Sequence, residues 1–232
     1  MIWYSYYMSY GINVPEGTAN TMKLTILGAT GATGTALTGQ ALAAGHEVTA
    51  VVRDPARLAV PAHPRLRTVT ADVMDPASIV SAIDGADAVL STVGPRGTGP
   101  TTVITDSVRS IIQAMHKTGT RRFLQVSGSV VADEGESPYL RYLLKPLARR
   151  TFLRHVCADM RRGEEEIRDS DLDWTIFRPP SLTDKAATGA YRTAIDRNLP
   201  HGFTVSRADL AACMLASLSD PATVHRHIAI AS

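Results

Sequence analysis

Three glycines spaced three apart, Gly28, Gly31 and Gly34, lie between a short β-branched run, Lys23-Leu24-Thr25-Ile26-Leu27, and a helix-length segment from Thr33 to Ala44. Gly28 permits a tight exit from a strand, and Gly31 lets backbone N–H groups come close to an anion. Gly34 allows a helix to lie against the sheet. A helix N-terminus reached through such a loop is a diphosphate site, because its first N–H groups are unpaired and carry the positive end of the helix dipole. Thr30 and Thr33 add hydroxyl donors, with Ala32 between them. The spacing is Gly-x-x-Gly-x-x-Gly rather than Gly-x-Gly-x-x-Gly. The strand–loop–helix setting is the context in which such a triplet means dinucleotide binding.

The second apolar run, Val48 to Val52, ends in Arg53-Asp54, with Arg57 close behind. At this strand end an acid accepts from the ribose 2′-OH of NAD, whereas an arginine accommodates the 2′-phosphate of NADP. Arg53 and Arg57 therefore point to NADP(H). Asp54 reads as a turn cap before Pro55; with the register moved by one residue it would serve the ribose instead. After the third run Asp72 and Val73 fall where an adenine would lie, and Asp72 either accepts from the adenine amino group or caps the turn. Val93 and Gly94 end the fourth run, where a glycine lets the backbone pass beneath the adenosine half.

These positions need a particular scaffold. Leu66–Thr70, Ala86–Thr92, Phe123–Val126 and Trp174–Phe177 read as further strands, with His227–Ile230 closing the sheet. Between them lie a helix opened by Asp75-Pro76 and one over Thr101–Lys117, whose apolar residues recur at helical spacing. Ser206-Arg207-Ala208-Asp209 resembles a capping box opening a last helix. Strands alternating with helices predict a single α/β domain of Rossmann type, a doubly wound parallel sheet.

The glycine loop, Val51-Val52-Arg53-Asp54, Gly94 followed by Pro100-Thr101-Thr102-Val103, and Arg178-Pro179-Pro180 resemble the atypical short-chain dehydrogenase/reductases of the NAD(P)-binding (NmrA-like) family. The pattern is most similar to their biliverdin reductase B (flavin reductase) type. The stretches Pro179–Asp184 and Thr188–Tyr191 look like its sixth-strand exit and following loop. The resemblance runs from about Lys23 to the C-terminus, with a gap around residues 133–157. It implies NADPH use and hydride transfer to flavins, quinones or tetrapyrroles.

Departures from the family narrow the chemistry. Classical members carry Tyr-x-x-x-Lys, in which the lysine lowers the tyrosine pKa; Tyr142-Leu143-Leu144-Lys145 is one residue short. The helix before the sixth strand usually offers lysine or histidine four residues before a glutamate. With Glu164 as that glutamate, the position is Met160. The flavin reductase pattern has histidine after Pro-Pro, where this chain has Ser181. Ser127 or Ser129 remains for an acceptor oxygen, with Tyr139, Tyr142 or His155 as donors. Pro179, Pro180 and Ser181 would wall the nicotinamide side through free proline carbonyls. An acceptor that takes hydride readily needs mainly alignment, with water supplying the proton. The expected function is thus reduction of a flavin, quinone or other conjugated small molecule. The alternatives are a redox sensor that binds NADP without turnover, and a ketoreductase or epimerase of secondary metabolism.

The rest of the chain limits its partners. The net charge of +2 gives no field to recruit nucleic acid or an anionic membrane, and no apolar run approaches a membrane span. Cys157 and Cys213 read as reduced thiols in a cytoplasmic protein. Residues 1–21, rich in tyrosine and without Lys or Arg, read as a disordered extension, or as an aromatic arm on a neighbouring subunit. Residues 133–157 alternate leucines and aromatics with arginines and read as a lid beside the nicotinamide end, or as a homodimer contact. His46 reads as a surface turn residue and His116 as a helix-end cation. His225 and His227, with no acid nearby in sequence, offer no metal site, and none is expected elsewhere.

Overall fold

The computed structural model describes residues 21–132 and 153–232. Tyr139, Tyr142 and most of the lid-like stretch lie outside the described residues, as do residues 1–20 of the N-terminal extension.

Strand β1 (Lys23–Leu27) sits inside the sheet, and all but its first residue are buried. It leads through the glycine loop into α1 (Ala32–Ala43). β2 (Glu47–Val52), β3 (Leu66–Thr70) and α2 (Pro76–Ile83) follow. Asp75 caps α2 by accepting from the Ala77 N–H, with Pro76 in the first turn. β4 (Ala88–Ser91), α3 (Val103–Thr118), β5 (Arg122–Val126), α4 (Arg154–Arg168) and β6 (Asp173–Arg178) complete the alternating part. Three short strands follow, β7 (Ser181–Thr183), β8 (Arg192–Ile195) and β9 (Thr204–Ser206). The chain ends with α5 (Arg207–Ala216) and β10 (Arg226–Ala231).

The main sheet has the order β3-β2-β1-β4-β5-β6-β10-β8, parallel except for β8 at its edge. β7 and β9 form a separate parallel pair. One apolar cluster joins the sheet to α1 and α5, the other joins it to α2, α3 and α4. This is a single Rossmann-type α/β domain with the expected doubly wound sheet. No helix among the described residues is long and apolar enough to cross a membrane.

One buried and one half-buried group tie the scaffold together. Asp159 of α4, fully buried, accepts from the Ile104 and Thr105 N–H groups and the Thr105 hydroxyl, so one helix caps the start of another. Thr102, the residue preceding α3, makes no side-chain cap of its own. Arg122 donates to the Ser217, Leu218 and Asp173 carbonyls and to Thr175 and Thr223. Its burial brings the guanidinium down to about 10.

His46 differs from the expectation. It is buried, and its Nδ1 accepts from the Met22 N–H at 3.2 Å, because the backbone entering β1 folds over it. His116 does lie in the last turn of α3, and its Nε2 lies 2.8 Å from Asp171 Oδ1.

Candidate coenzyme cleft

β1 and β4 are neighbours, and the cleft opens where both strands end. Its volume is about 670 Å³, and its walls collect Gly28, Thr30, Gly31, Ala32, Thr33 and Gly34 from the loop, Arg53 and Arg57 after β2, Asp72 and Val73 after β3, and Val93 and Gly94 after β4. Twelve residues chosen from separate stretches of sequence thus share one concavity.

The loop is shaped by contact. Gly28 has φ +81°, and a Cβ there would meet the Thr92 Oγ1 at 2.8 Å and the Thr92 backbone carbon at 2.9 Å. Its carbonyl accepts from the Gly31 N–H at 2.9 Å and from Thr92 Oγ1 at 3.2 Å. At Gly34 a Cβ would fall 2.2 Å from the Gly28 oxygen, so α1 touches the strand exit directly. No side chain caps α1, and its first turn holds no acid. Its leading N–H groups therefore face the cleft with their dipole uncompensated, which suits an anion.

The charges near β2 are sorted by hydrogen bonding. Asp54 Oδ1 accepts from the Ala56 N–H at 3.1 Å, the turn-cap reading. Arg53 and Arg57 are exposed and line the cleft. Asp72 Oδ1 accepts from the Met74 N–H, also capping its turn, while still bordering the cleft. A Cβ at Gly94 would stand in open space, within the cleft rather than against protein.

The turn after β5, where the sequence places the acceptor, is less complete among the described residues. Ser127 and Ser129 leave β5 beside β6, their N–H groups donating to the Phe177 and Pro179 carbonyls at 2.8 Å each. Buried Asn198 donates to the Ser129 and Ala132 carbonyls and pins the turn that follows. The Ser127 hydroxyl is buried without a hydrogen-bond partner among the described residues. Met160 packs toward this turn, its sulfur 3.4 Å from where a Gly128 Cβ would be. Ser127, Ser129, Pro179, Pro180 and Ser181 do not border the cleft, whereas Leu182 does. The Pro179 carbonyl is already bonded to Ser129, and the Ser181 N–H donates to Phe203 as β7 begins. The expected free proline carbonyl is therefore not found at Pro179.

Behind β6, Glu164 and Arg178 form a bidentate ion pair, 3.1 and 2.5 Å, with both side chains largely buried. His227 lies 3.7 Å from Glu164 and 3.5 Å from Asp196, so acids remote in sequence do reach it. Its ring meets Trp174 edge-on at 5.3 Å. No trio of His, Cys, Asp or Glu side chains among the described residues is disposed to hold a metal ion. Burial, reinforced by Arg178, holds the His227 imidazole below its ordinary value, and burial does the same to His46. Both pKa values are depressed on folding, so the unfolded chain binds protons more readily. Stability is then fully present above about pH 6.5 and is lost as pH falls below it. Urea midpoints should drop from pH 7.5 to 5.5, with a smaller drop in H46Q/H227Q. Parallel profiles for the two proteins would remove the histidines from this account.

Leu182, Arg96 and Arg207 are among the other lining residues, and nothing in the sequence marks them as cofactor contacts. Arg207 is visible in sequence only as part of a helix cap. What brings it to the cleft is the β7–β9 pairing.

Comparison with known proteins agrees with this geometry. A family model described as NAD(P)H-binding matches residues 28–221, most of the chain. The UPF0659 protein YMR090W of Saccharomyces cerevisiae is 30% identical over 158 residues, spanning 66% of this chain and 65% of that protein. The chain thus covers just under two thirds of that relative's length. Among solved structures, a short-chain dehydrogenase/reductase from Veillonella parvula in complex with NADP superimposes with a TM-score of 0.74 at 20% identity, covering 91% of this chain and 94% of that one. The oxidoreductase ylbE from Lactococcus lactis gives 0.76 at 20% identity, with 91% of each chain covered. Glycine loop, sheet order and family match agree: the chain belongs to the NAD(P)H-binding family of Rossmann-type proteins.

Proposed function

We propose that this protein is an NADPH-dependent reductase that passes hydride to a flavin, quinone or similar conjugated small molecule, as the resemblance to the flavin reductase type implies. The observation that carries the coenzyme choice is the division of roles at Arg53-Asp54. The carboxylate is occupied on the Ala56 N–H, while the Arg53 and Arg57 side chains border the cleft. Guanidinium groups there suit a 2′-phosphate, and an acid engaged in a turn is a poor acceptor for a free 2′-hydroxyl. The Veillonella parvula structure with NADP bound is in keeping with this choice.

Bound NADPH supplies the hydride. The chain's own part is to hold and align. The α1 N–H groups and the threonines Thr30 and Thr33 would grip the diphosphate, and the Ser127 hydroxyl, buried beside the β5 exit without a partner among the described residues, would turn outward to meet an acceptor oxygen. Met160 occupies the position beside this turn where an ionisable side chain would move a proton. An acceptor whose reduced form draws its proton from water fits that arrangement better than a plain ketone.

Two measurements test the proposal. Purified protein mixed with NADPH and a panel of flavins, quinones and ketones should consume NADPH with conjugated acceptors and not with simple ketones. Tight binding without consumption across the panel would favour the redox-sensor alternative. In calorimetry, R53A should weaken NADPH by roughly tenfold to a hundredfold and NADH by less than about twofold, the loss of one charged contact. Equal losses for the two coenzymes would refute the 2′-phosphate assignment.

A further inference from the structure

We propose that Arg207 is a second cationic hold on the coenzyme, directed at the diphosphate and parked on Asp184 until that anion arrives. The inference rests on the coenzyme-binding reading above and assigns a residue remote from the glycine loop to the same ligand.

The placement follows from the small sheet. β7 and β9 run parallel with Thr183 opposite Ser206, so Asp184 and Arg207 leave adjacent strand ends together. Arg207 Nη1 donates to Asp184 Oδ1 at 2.7 Å. The two side chains are unequally placed: the carboxylate is 83% exposed, the guanidinium only 26%. Among the described residues Asp184 is the partner that Arg207 has, and one bond leaves most of the five guanidinium N–H donors uncommitted. Arg207 also lines the cleft that the glycine loop lines.

Its root, by contrast, is fixed. Ser206 Oγ accepts from the Asp209 N–H at 2.9 Å, and fully buried Asp209 accepts from the Thr188 and Gly189 N–H groups. Gln40 of α1 donates to the Ala208 carbonyl at 2.8 Å, locking the start of α5 to the helix that carries the glycine loop. A rigid anchor with a movable charged tip is what a ligand clamp needs. An ion pair with one hydrated partner is weak, so exchanging Asp184 for a doubly charged diphosphate favours binding and returns the carboxylate to water. Arg53 and Arg57 leave the main sheet at β2, whereas Arg207 follows β9 in the separate β7–β9 pair. The two cationic groups therefore grip different parts of the ligand, and the diphosphate is common to NADPH and NADH.

Calorimetry with NADPH and NADH on wild type, R207A, D184A and R53A tests this. R207A should weaken both coenzymes by the same factor, about tenfold or more. D184A, freed of the competing carboxylate, should bind both about twofold to fivefold more tightly. R53A should separate the two coenzymes. Wild-type affinity of R207A for both, with R53A still losing NADPH, would overturn the clamp and leave the coenzyme reading standing. Uptake of neither coenzyme by the wild-type protein would overturn both. Thermal melts establish that R207A folds; if it does not, D184A decides alone, and unchanged or weaker binding there refutes the clamp.

Discussion

Gly34→Ala is expected to lose about 3 kcal/mol of stability or more and to bind NADPH at least about a hundredfold more weakly. Propensity alone predicts the opposite sign, since alanine favours a helix interior over glycine by about 1 kcal/mol. Contact decides the outcome. The added Cβ would lie 2.2 Å from the Gly28 oxygen, 2.7 Å from the Ala29 Cα and 2.8 Å from the Gly28 carbon. All three atoms are backbone, so no rotamer change relieves the overlap, and either α1 or the loop must move. The loop cannot shift cheaply, because the Gly28 oxygen also holds Gly31 and Thr92, and Gly28 itself sits at positive φ against the Thr92 backbone. Displacing it moves the N–H groups that face the cleft, and with them the proposed diphosphate hold. Urea titration and NADPH calorimetry on the same variant check both halves. A G34A protein as stable as wild type with undiminished affinity would show that α1 does not rest on the loop as described.

Gly34 also illustrates what was legible in the sequence. The glycine loop, Arg53, Asp72 and Gly94 could be placed because each follows a β-branched or apolar run, and a parallel sheet puts every strand exit on one side. The short strands β7, β8 and β9 were not legible. They have three, four and three residues, mix polar with apolar types, and owe their conformation to partners distant in sequence. Arg207 is not readable as a cleft residue for that reason, and the Pro179 carbonyl looks free in sequence until β5 is set beside it and the Ser129 N–H donates to it. Asp159 carries a faint signal, a carboxylate on the buried face of α4, but its role depends on α3 arriving across the face of the sheet. His46 was misread because nothing adjacent in sequence announces that Met22 will cover it.

Glu164 and Arg178 were each noticed, one as a helix glutamate and the other as the head of Arg178-Pro179-Pro180, but the pair appears only when α4 is folded back onto β6. Removing Glu164 should have the larger consequence for folding. Its side chain is 5% exposed and that of Arg178 is 13%, so E164A leaves a guanidinium buried with its counter-ion gone. Breaking such a pair from one side costs about 3–5 kcal/mol, chiefly the penalty of the stranded charge rather than the worth of the bond. His227, 3.7 Å from the same carboxylate, is neutral or cationic and never an anion, so it cannot take over as counter-ion to a guanidinium. Replacing both partners together with methionine should therefore restore most of the loss, because no uncompensated charge remains. Urea unfolding at neutral pH of E164A, R178M and E164M/R178M separates these terms. The effect should also reach the acceptor end: Arg178 closes β6, whose neighbouring carbonyls of Phe177 and Pro179 hold the Ser127 and Ser129 N–H groups. A double variant that regains stability while turning over the acceptor more slowly than wild type would identify the ion pair as a positioning device for the serine turn. A loss below about 1 kcal/mol in E164A would mean that Arg178 finds water or another anion, and the buried pair would then have no hold on either stability or the turn.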